Sequence, residues 1–133
     1  MNKVEHIGIA VRDLTTSIPL FERLLDTHCY KTEEVESERV TTAFFRSGET
    51  KIELLQGLDA DSVISKFVAR RGEGMHHIAF AVEDIHAEMR RLAAEGFTLL
   101  NAEPKPGVDN KLVCFLHPKD TAGVLVELCM DRG

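Results

Sequence analysis

An internal repeat is the feature of this sequence that most constrains its fold. Residues 6–14 read His-Ile-Gly-Ile-Ala-Val-Arg-Asp-Leu, and residues 77–85 read His-Ile-Ala-Phe-Ala-Val-Glu-Asp-Ile. A second echo pairs Ile-Glu-Leu at 52–54 with Val-Glu-Leu at 126–128. Both halves therefore carry the same series of features, and the chain is expected to fold as two similar modules within a single domain, residues 1–133.

The residue pattern gives each module a strand, a helix and three further strands. Module one covers about residues 3–58, a linker helix about 62–72, and module two about 74–130. Alternating apolar residues predict the opening strands at 3–11 and 75–82, and Asp13 predicts the start of a helix that ends near Asp26. The other predicted elements are strands near 28–36, 39–46 and 50–56, a helix at 84–95, and strands near 97–100, 111–117 and 123–129.

Prolines and glycines limit these elements. Pro19 is expected to restrict where the first helix begins, because proline fits only the first turn of a helix. The apolar face of that helix is expected to contain Ile18, Phe21, Leu24 and Leu25. A loop is expected in the second module where three breaking residues cluster, Pro104, Pro106 and Gly107.

The composition excludes several classes of function. The chain has 22 acidic and 16 basic residues, a net charge of -6, whereas a general nucleic-acid binder needs a basic face. No apolar stretch approaches the roughly 20 residues that cross a membrane, and the N-terminus lacks the apolar run of a signal peptide. The three cysteines are widely spaced and odd in number, which predicts reduced thiols in a cytoplasmic protein.

Two histidines occupy equivalent positions in the opening strands. Alternate residues of a strand share a face, so His6 shares its face with a glycine and an alanine, and His77 shares its face with two alanines. Such small neighbours leave room that a packed core would fill. His76 must point to the opposite face and is not expected to be a ligand.

Two glutamates occupy equivalent positions in otherwise apolar strands. Glu53 and Glu127 each stand between large aliphatic residues, and a carboxylate inside a sheet is costly unless it is paired or bound to metal. Together with His6 and His77, they form a plausible site for a divalent metal ion with open coordination positions.

These segments resemble the vicinal-oxygen-chelate, or glyoxalase, superfamily, and within it the methylmalonyl-CoA epimerases. The resemblance covers about residues 3–130 and is carried by four segments, at 4–11, 50–55, 72–80 and 115–128. The Gly-Met-His-His run at 74–77 and the segment from His-Pro-Lys to Val-Glu-Leu at 117–128 are more specific to the epimerases.

The resemblance implies an α+β fold of two paired βαβββ modules with sheets curled around a metal. It implies His6, His77 and Glu127 as metal ligands, with Glu53 at a fourth position where the family carries Glu or Gln. Cobalt is common in the family, with Mn2+, Ni2+ and Zn2+ as alternatives, and its members usually form homodimers. The implied enzyme is an isomerase that interconverts (2R)- and (2S)-methylmalonyl-CoA by metal-assisted α-proton abstraction through an enolate.

Inversion at carbon needs proton access from both sides, most simply from two opposed acid–base groups. Glu53 and Glu127 are the carboxylates available for this catalytic role. Some epimerases carry a further Glu on the strand that corresponds to residues 40–45, where this sequence has Thr42, so the second base stays open.

An acidic chain needs a local basic patch to bind the phosphates of an acyl-CoA substrate. Basic residues cluster near the linker helix (Lys66, Arg70 and Arg71) and in the second half (Lys105, Lys111 and Lys119). Among these, Lys111 and Lys119 are the candidates for substrate contact, and His117 lies in a loop where it too can meet substrate.

Related superfamily members supply the alternative functions. A glyoxalase I type lyase, acting on a glutathione hemithioacetal, also transfers a proton beside a metal-bound oxygen and uses similar ligands. A bleomycin-resistance type binding protein does without a catalytic metal, which the four polar candidates argue against. An extradiol dioxygenase would use two His and one carboxylate for iron, and Glu53 would be an extra anion.

Overall fold

The computed structural model describes residues 1–133 and contains two βαβββ series, as the repeat predicts. The first series is β1 (Lys3–Ala10), α1 (Leu14–Leu25), β2 (Lys31–Val35), β3 (Val40–Ser47) and β4 (Thr50–Gly57). Helix α2 (Val63–Arg71) follows it. The second series is β5 (Gly74–Ala81), α3 (Ile85–Ala94), β6 (Lys105–Gly107), β7 (Lys111–Leu116) and β8 (Val126–Asp131).

The chain forms two compact units that do not coincide with the two halves of the sequence. The middle unit comprises Ile7–His76, and the composite unit joins Met1–His6 to His77–Gly133. Strand β1 is therefore divided, and the segment that contains His6 belongs to the same unit as His77.

In the middle unit, β2, β3 and β4 form an antiparallel meander in which Phe44 lies opposite Glu53. Helix α1 begins at the N-cap Asp13, and its apolar residues pack on a cluster that includes Phe45 and Leu54. Helix α2 packs on the other face of these strands, where Leu55 joins the second apolar cluster.

In the composite unit, β5 pairs with β8 in parallel, and β8, β7 and β6 continue in antiparallel order. Helix α3 begins at the N-cap Asp84 and buries three residues, Ile85, Met89 and Leu92, against one sheet face. The other face carries a smaller apolar cluster, in which Ala79 and Cys129 are almost completely buried. That second face is the one that carries His77 and Glu127.

The structure corrects four local predictions. Pro19 lies inside α1, beyond its first turn. It has no backbone N–H to donate to the Thr15 carbonyl, but the neighbouring apolar side chains still pack on the core. Leu24 is 68% exposed rather than part of the apolar face. The predicted loop around Pro106 contains the short terminal strand β6, a position where proline is tolerated. Residues 97–100 make only an isolated bridge through Leu99.

None of the helices has both the length and the apolar character that crossing a bilayer requires.

Candidate metal centre

Three of the four predicted metal ligands converge within the composite unit. His6 Nε2 lies 3.0 Å from His77 Nε2, and Glu127 Oε1 lies 3.6 Å from the first nitrogen and 3.3 Å from the second. All three residues are buried, so bulk water does not compensate their polar atoms. The arrangement is a compact group of two imidazoles and one carboxylate.

Strand register explains how two of these side chains meet. Strands β5 and β8 run parallel with Ala79 beside Glu127, which places His77 two residues earlier on the same face. The small side chain of Ala79 lets the imidazole and the carboxylate approach each other. The ring of Phe115 meets the His77 ring edge to face, with 6.0 Å between their centroids.

The observed separations fit a single metal ion. Ligands held at about 2.1 Å from one ion lie about 3.0 Å apart at right angles and about 3.4 Å apart at the tetrahedral angle. The three separations in this group span 3.0 to 3.6 Å. Facing imidazole nitrogens at 3.0 Å also need a proton or a cation between them, because their lone pairs repel.

Glu5 is a member of this environment that sequence reasoning missed. Its side chain is buried, and Oε1 lies 2.7 Å from His6 Nδ1. Alternation along β1 assigns adjacent side chains to opposite faces, so the sequence pattern does not identify Glu5 as a partner of His6. The signal that could have found it is the acidic residue directly before the strand histidine.

Glu53, the fourth predicted ligand, belongs to the middle unit. It is 1% exposed and lies on β4 opposite Phe44. Thr42, where some relatives carry a further Glu, is fully buried, and its Oγ1 has no hydrogen-bond partner. The role of Glu53 as ligand and base stays a prediction.

The three predicted substrate contacts have different surroundings. Lys111 forms an ion pair with Asp131, and its Nζ lies 3.9 Å from Glu5 Oε2, so its ammonium already has partners. His117 Nδ1 accepts a hydrogen bond from the backbone amide of Lys119 at 3.0 Å and caps a short 3-10 helix. The side chain of Lys119 is exposed and available to a ligand.

His76, expected to stay outside the ligand group, points elsewhere. Its ring packs edge to face on Phe67, with 5.0 Å between the centroids. Burial, with a contribution from the charge of Arg71, lowers the pKa of His76 below its ordinary value. The His76 ring is therefore a side chain packed on Phe67 and not a member of the ligand group.

The profile of the Glyoxalase/Bleomycin resistance protein/Dioxygenase superfamily matches residues 5–115. Ethylmalonyl-CoA/methylmalonyl-CoA epimerase of Cereibacter sphaeroides is 38% identical and covers 96% of this chain and 97% of the relative. Uncharacterized protein YqjC of Bacillus subtilis is 37% identical over 100% of this chain and 95% of the relative.

A solved structure shows the same likeness in three dimensions. Methylmalonyl-CoA epimerase in complex with methylmalonyl-CoA and NH4+ superposes with a TM-score of 0.92 at 32% identity. The alignment covers 100% of this chain and 96% of that chain. The predicted α+β fold class and the predicted resemblance are thereby confirmed.

Proposed function

Because the chain belongs to the Glyoxalase/Bleomycin resistance protein/Dioxygenase superfamily, we propose that it is an isomerase that interconverts (2R)- and (2S)-methylmalonyl-CoA. The observation that carries the proposal is the buried group of His6, His77 and Glu127. It occurs in a chain that epimerase relatives match over nearly its whole length.

The proposed cofactor is one divalent metal ion, Co2+ foremost, with Mn2+, Ni2+ and Zn2+ as alternatives. His6, His77 and Glu127 would hold it, and Glu53 is proposed as the fourth ligand on the strength of the sequence resemblance. Such an ion stabilises the negative charge that develops on the substrate oxygens when the α-proton leaves.

The chain's own carboxylates are proposed to move the proton. Glu127 uses Oε1 in the contacts with the imidazoles, which leaves Oε2 as the oxygen assigned to proton exchange. Glu53 is proposed as the opposite acid–base group, because inversion requires a proton to leave from one side and return from the other. Thr42 supplies a hydroxyl rather than a carboxylate, so it is not assigned as a base.

The acyl-CoA substrate needs cationic or donor groups for its phosphates. Lys119 is the preferred candidate because its side chain is exposed, and His117 lies beside it on the same connection. Lys111 is a weaker candidate because Asp131 and Glu5 already surround its ammonium. The homodimer and the cytoplasmic location stay predictions from the sequence.

Proton exchange in D2O tests the proposed reaction. The purified, cobalt-loaded protein is added to (2S)-methylmalonyl-CoA, and deuterium at the α-carbon and formation of the (2R) epimer are followed by NMR. Both signals are expected, and both should disappear in His77→Ala. A parallel assay with methylglyoxal and glutathione covers the lyase alternative, and turnover there without thioester exchange would contradict the epimerase.

A further inference from the structure

A chain of charged groups leads from the surface of the composite unit to His6. Asp131 pairs with Lys111, Lys111 Nζ lies 3.9 Å from Glu5 Oε2, and Glu5 Oε1 lies 2.7 Å from His6 Nδ1. Glu5 and Lys111 also line a cavity of about 390 Å3, together with Cys129 and Asp131. This series of charged side chains therefore connects the His6 imidazole to the wall of the cavity.

The contact with Glu5 decides which nitrogen of His6 carries a proton. A carboxylate oxygen 2.7 Å from Nδ1 favours the tautomer in which Nδ1 donates the hydrogen bond, because an ionised carboxylate only accepts hydrogen bonds. The lone pair is then on Nε2, the atom that faces His77 and Glu127. When a histidine binds a metal through one ring nitrogen, a carboxylate that accepts a hydrogen bond from the other ring nitrogen orients the ring and increases its basicity.

Lys111 explains why a carboxylate is tolerated at this depth. Glu5 is 5% exposed, and a buried carboxylate without a partner is strongly destabilised. The Lys111 side chain is itself 15% exposed and lies between Glu5 and the exposed Asp131. It therefore places a positively charged group beside the buried Glu5 carboxylate.

The second copy of the repeat lacks this arrangement. The residue that precedes His77 is His76, not an acid, and its ring packs on Phe67. The acidic neighbour is thus specific to His6 and does not follow from the repeat itself.

We propose that Glu5 is a positioning residue that fixes the tautomer and orientation of His6 for metal binding, and that Lys111 holds Glu5 in place. The inference rests on the proposed metal site, but it concerns the affinity for the ion rather than the identity of the substrate. Glu5 is proposed to act through the His6 ring, because its Oε1 contacts Nδ1 whereas Nε2 is the nitrogen that faces His77 and Glu127.

Cobalt titration of the full-length protein tests this role by a readout independent of activity. Glu5→Ala is expected to weaken Co2+ binding by about 10–100-fold, the usual range for such outer partners, and Glu5→Gln by about 10-fold. Lys111→Gln should weaken binding less than Glu5→Ala does. The visible spectrum of bound Co2+ should change with the orientation of the His6 ring.

Glu83→Gln is the matched control, because Glu83 is an exposed acid that lines the same cavity. Its Co2+ affinity should equal that of the unaltered protein. Wild-type affinity and spectrum in Glu5→Gln would overturn the proposal, and this isosteric variant decides the matter if Glu5→Ala does not fold. Failure of the unaltered protein to bind Co2+ would also overturn it. Cobalt binding without epimerisation would instead contradict only the proposed reaction.

Discussion

The two copies of the repeat build the same local structure from the same residue types. Asp13 caps α1 by accepting a hydrogen bond from the Thr15 amide, at 2.9 Å. Asp84 caps α3 through the Ala87 amide, at 3.1 Å. The next residue is a buried aliphatic side chain in each copy. Capping and burial act locally, so an equivalent sequence gives an equivalent strand-to-helix turn.

The glutamates of the two copies have the same antiparallel strand setting, whereas the histidines differ in their neighbours. Each glutamate lies in antiparallel register opposite a phenylalanine, Glu53 opposite Phe44 and Glu127 opposite Phe115, and Glu127 also lies close to His77. His6 has an acidic neighbour in sequence, and His77 does not. Duplication therefore preserves the backbone scheme and the cross-strand partner of each glutamate more faithfully than it preserves the neighbours of the histidines.

The largest expected effect separates the two glutamates. Glu127→Ala should reduce Co2+ affinity by more than about 100-fold, beyond the range of outer partners, because it removes the carboxylate proposed as a ligand from the converged group. Glu53→Gln should reduce Co2+ affinity by less than about 10-fold, because the amide oxygen can replace a carboxylate oxygen at the proposed fourth position.

Titration of both variants with Co2+, with His77→Ala as the reference for complete loss, measures the difference. Equal and total loss of binding in Glu53→Gln and His77→Ala would contradict the smaller role of Glu53. Unchanged affinity in Glu127→Ala would contradict the ligand group itself.

The repeat and the period of each strand were sufficient to predict the βαβββ order, the Asp13 cap of α1 and the three side chains that converge. These features depend on local alternation and capping, which a sequence displays directly. The side-chain contact between Glu5 and His6 was beyond that reasoning, because alternation assigns faces but not the reach of a long side chain. The sequence did not predict strand β6 either, because Pro106 disfavours a strand locally and only pairing with β7 stabilises one there.

The cores of the two units offer a second comparison through equivalent leucines. Leu54 and Leu128 are each fully buried, the first against α1 and the second against α3. Replacement of either by Ala should lower the free energy of unfolding by about 2–5 kcal/mol, because each leaves a cavity in a packed cluster. Chemical denaturation of each variant measures the loss.

Leu24→Ala serves as the surface control for both leucines. Leu24 is 68% exposed, so its truncation should change the free energy of unfolding by no more than about 0.5 kcal/mol. If Leu128→Ala lowers the free energy of unfolding no more than Leu24→Ala does, the α3 cluster does not stabilise the second copy in the way that the α1 cluster stabilises the first.

The smallest expected effect concerns the connections between the last two strands of each copy. Gly48 and Glu49 alone join β3 to β4, whereas residues 117–125 join β7 to β8. Asp120 secures the longer connection, because its carboxylate accepts a hydrogen bond from the Thr98 amide at 2.7 Å. Hydrogen bonds from the Thr98 side chain and backbone, aided by the charges of Lys119 and His117, hold the pKa of Asp120 below its ordinary value of 3.8.

A lowered pKa in the folded state means that ionised Asp120 favours folding above pH 3.8 and that this contribution disappears as the pH falls through the folded-state pKa. Asp120→Asn should therefore melt at a lower temperature than the unaltered protein at neutral pH. The difference between the two melting temperatures should disappear in acid. Thermal melts between about pH 7 and pH 3 measure both curves. If the difference in melting temperature stays constant or widens as the pH falls, the charge of Asp120 does not stabilise this connection. The hydrogen bond from the Thr98 amide would then secure the connection without a contribution from that charge.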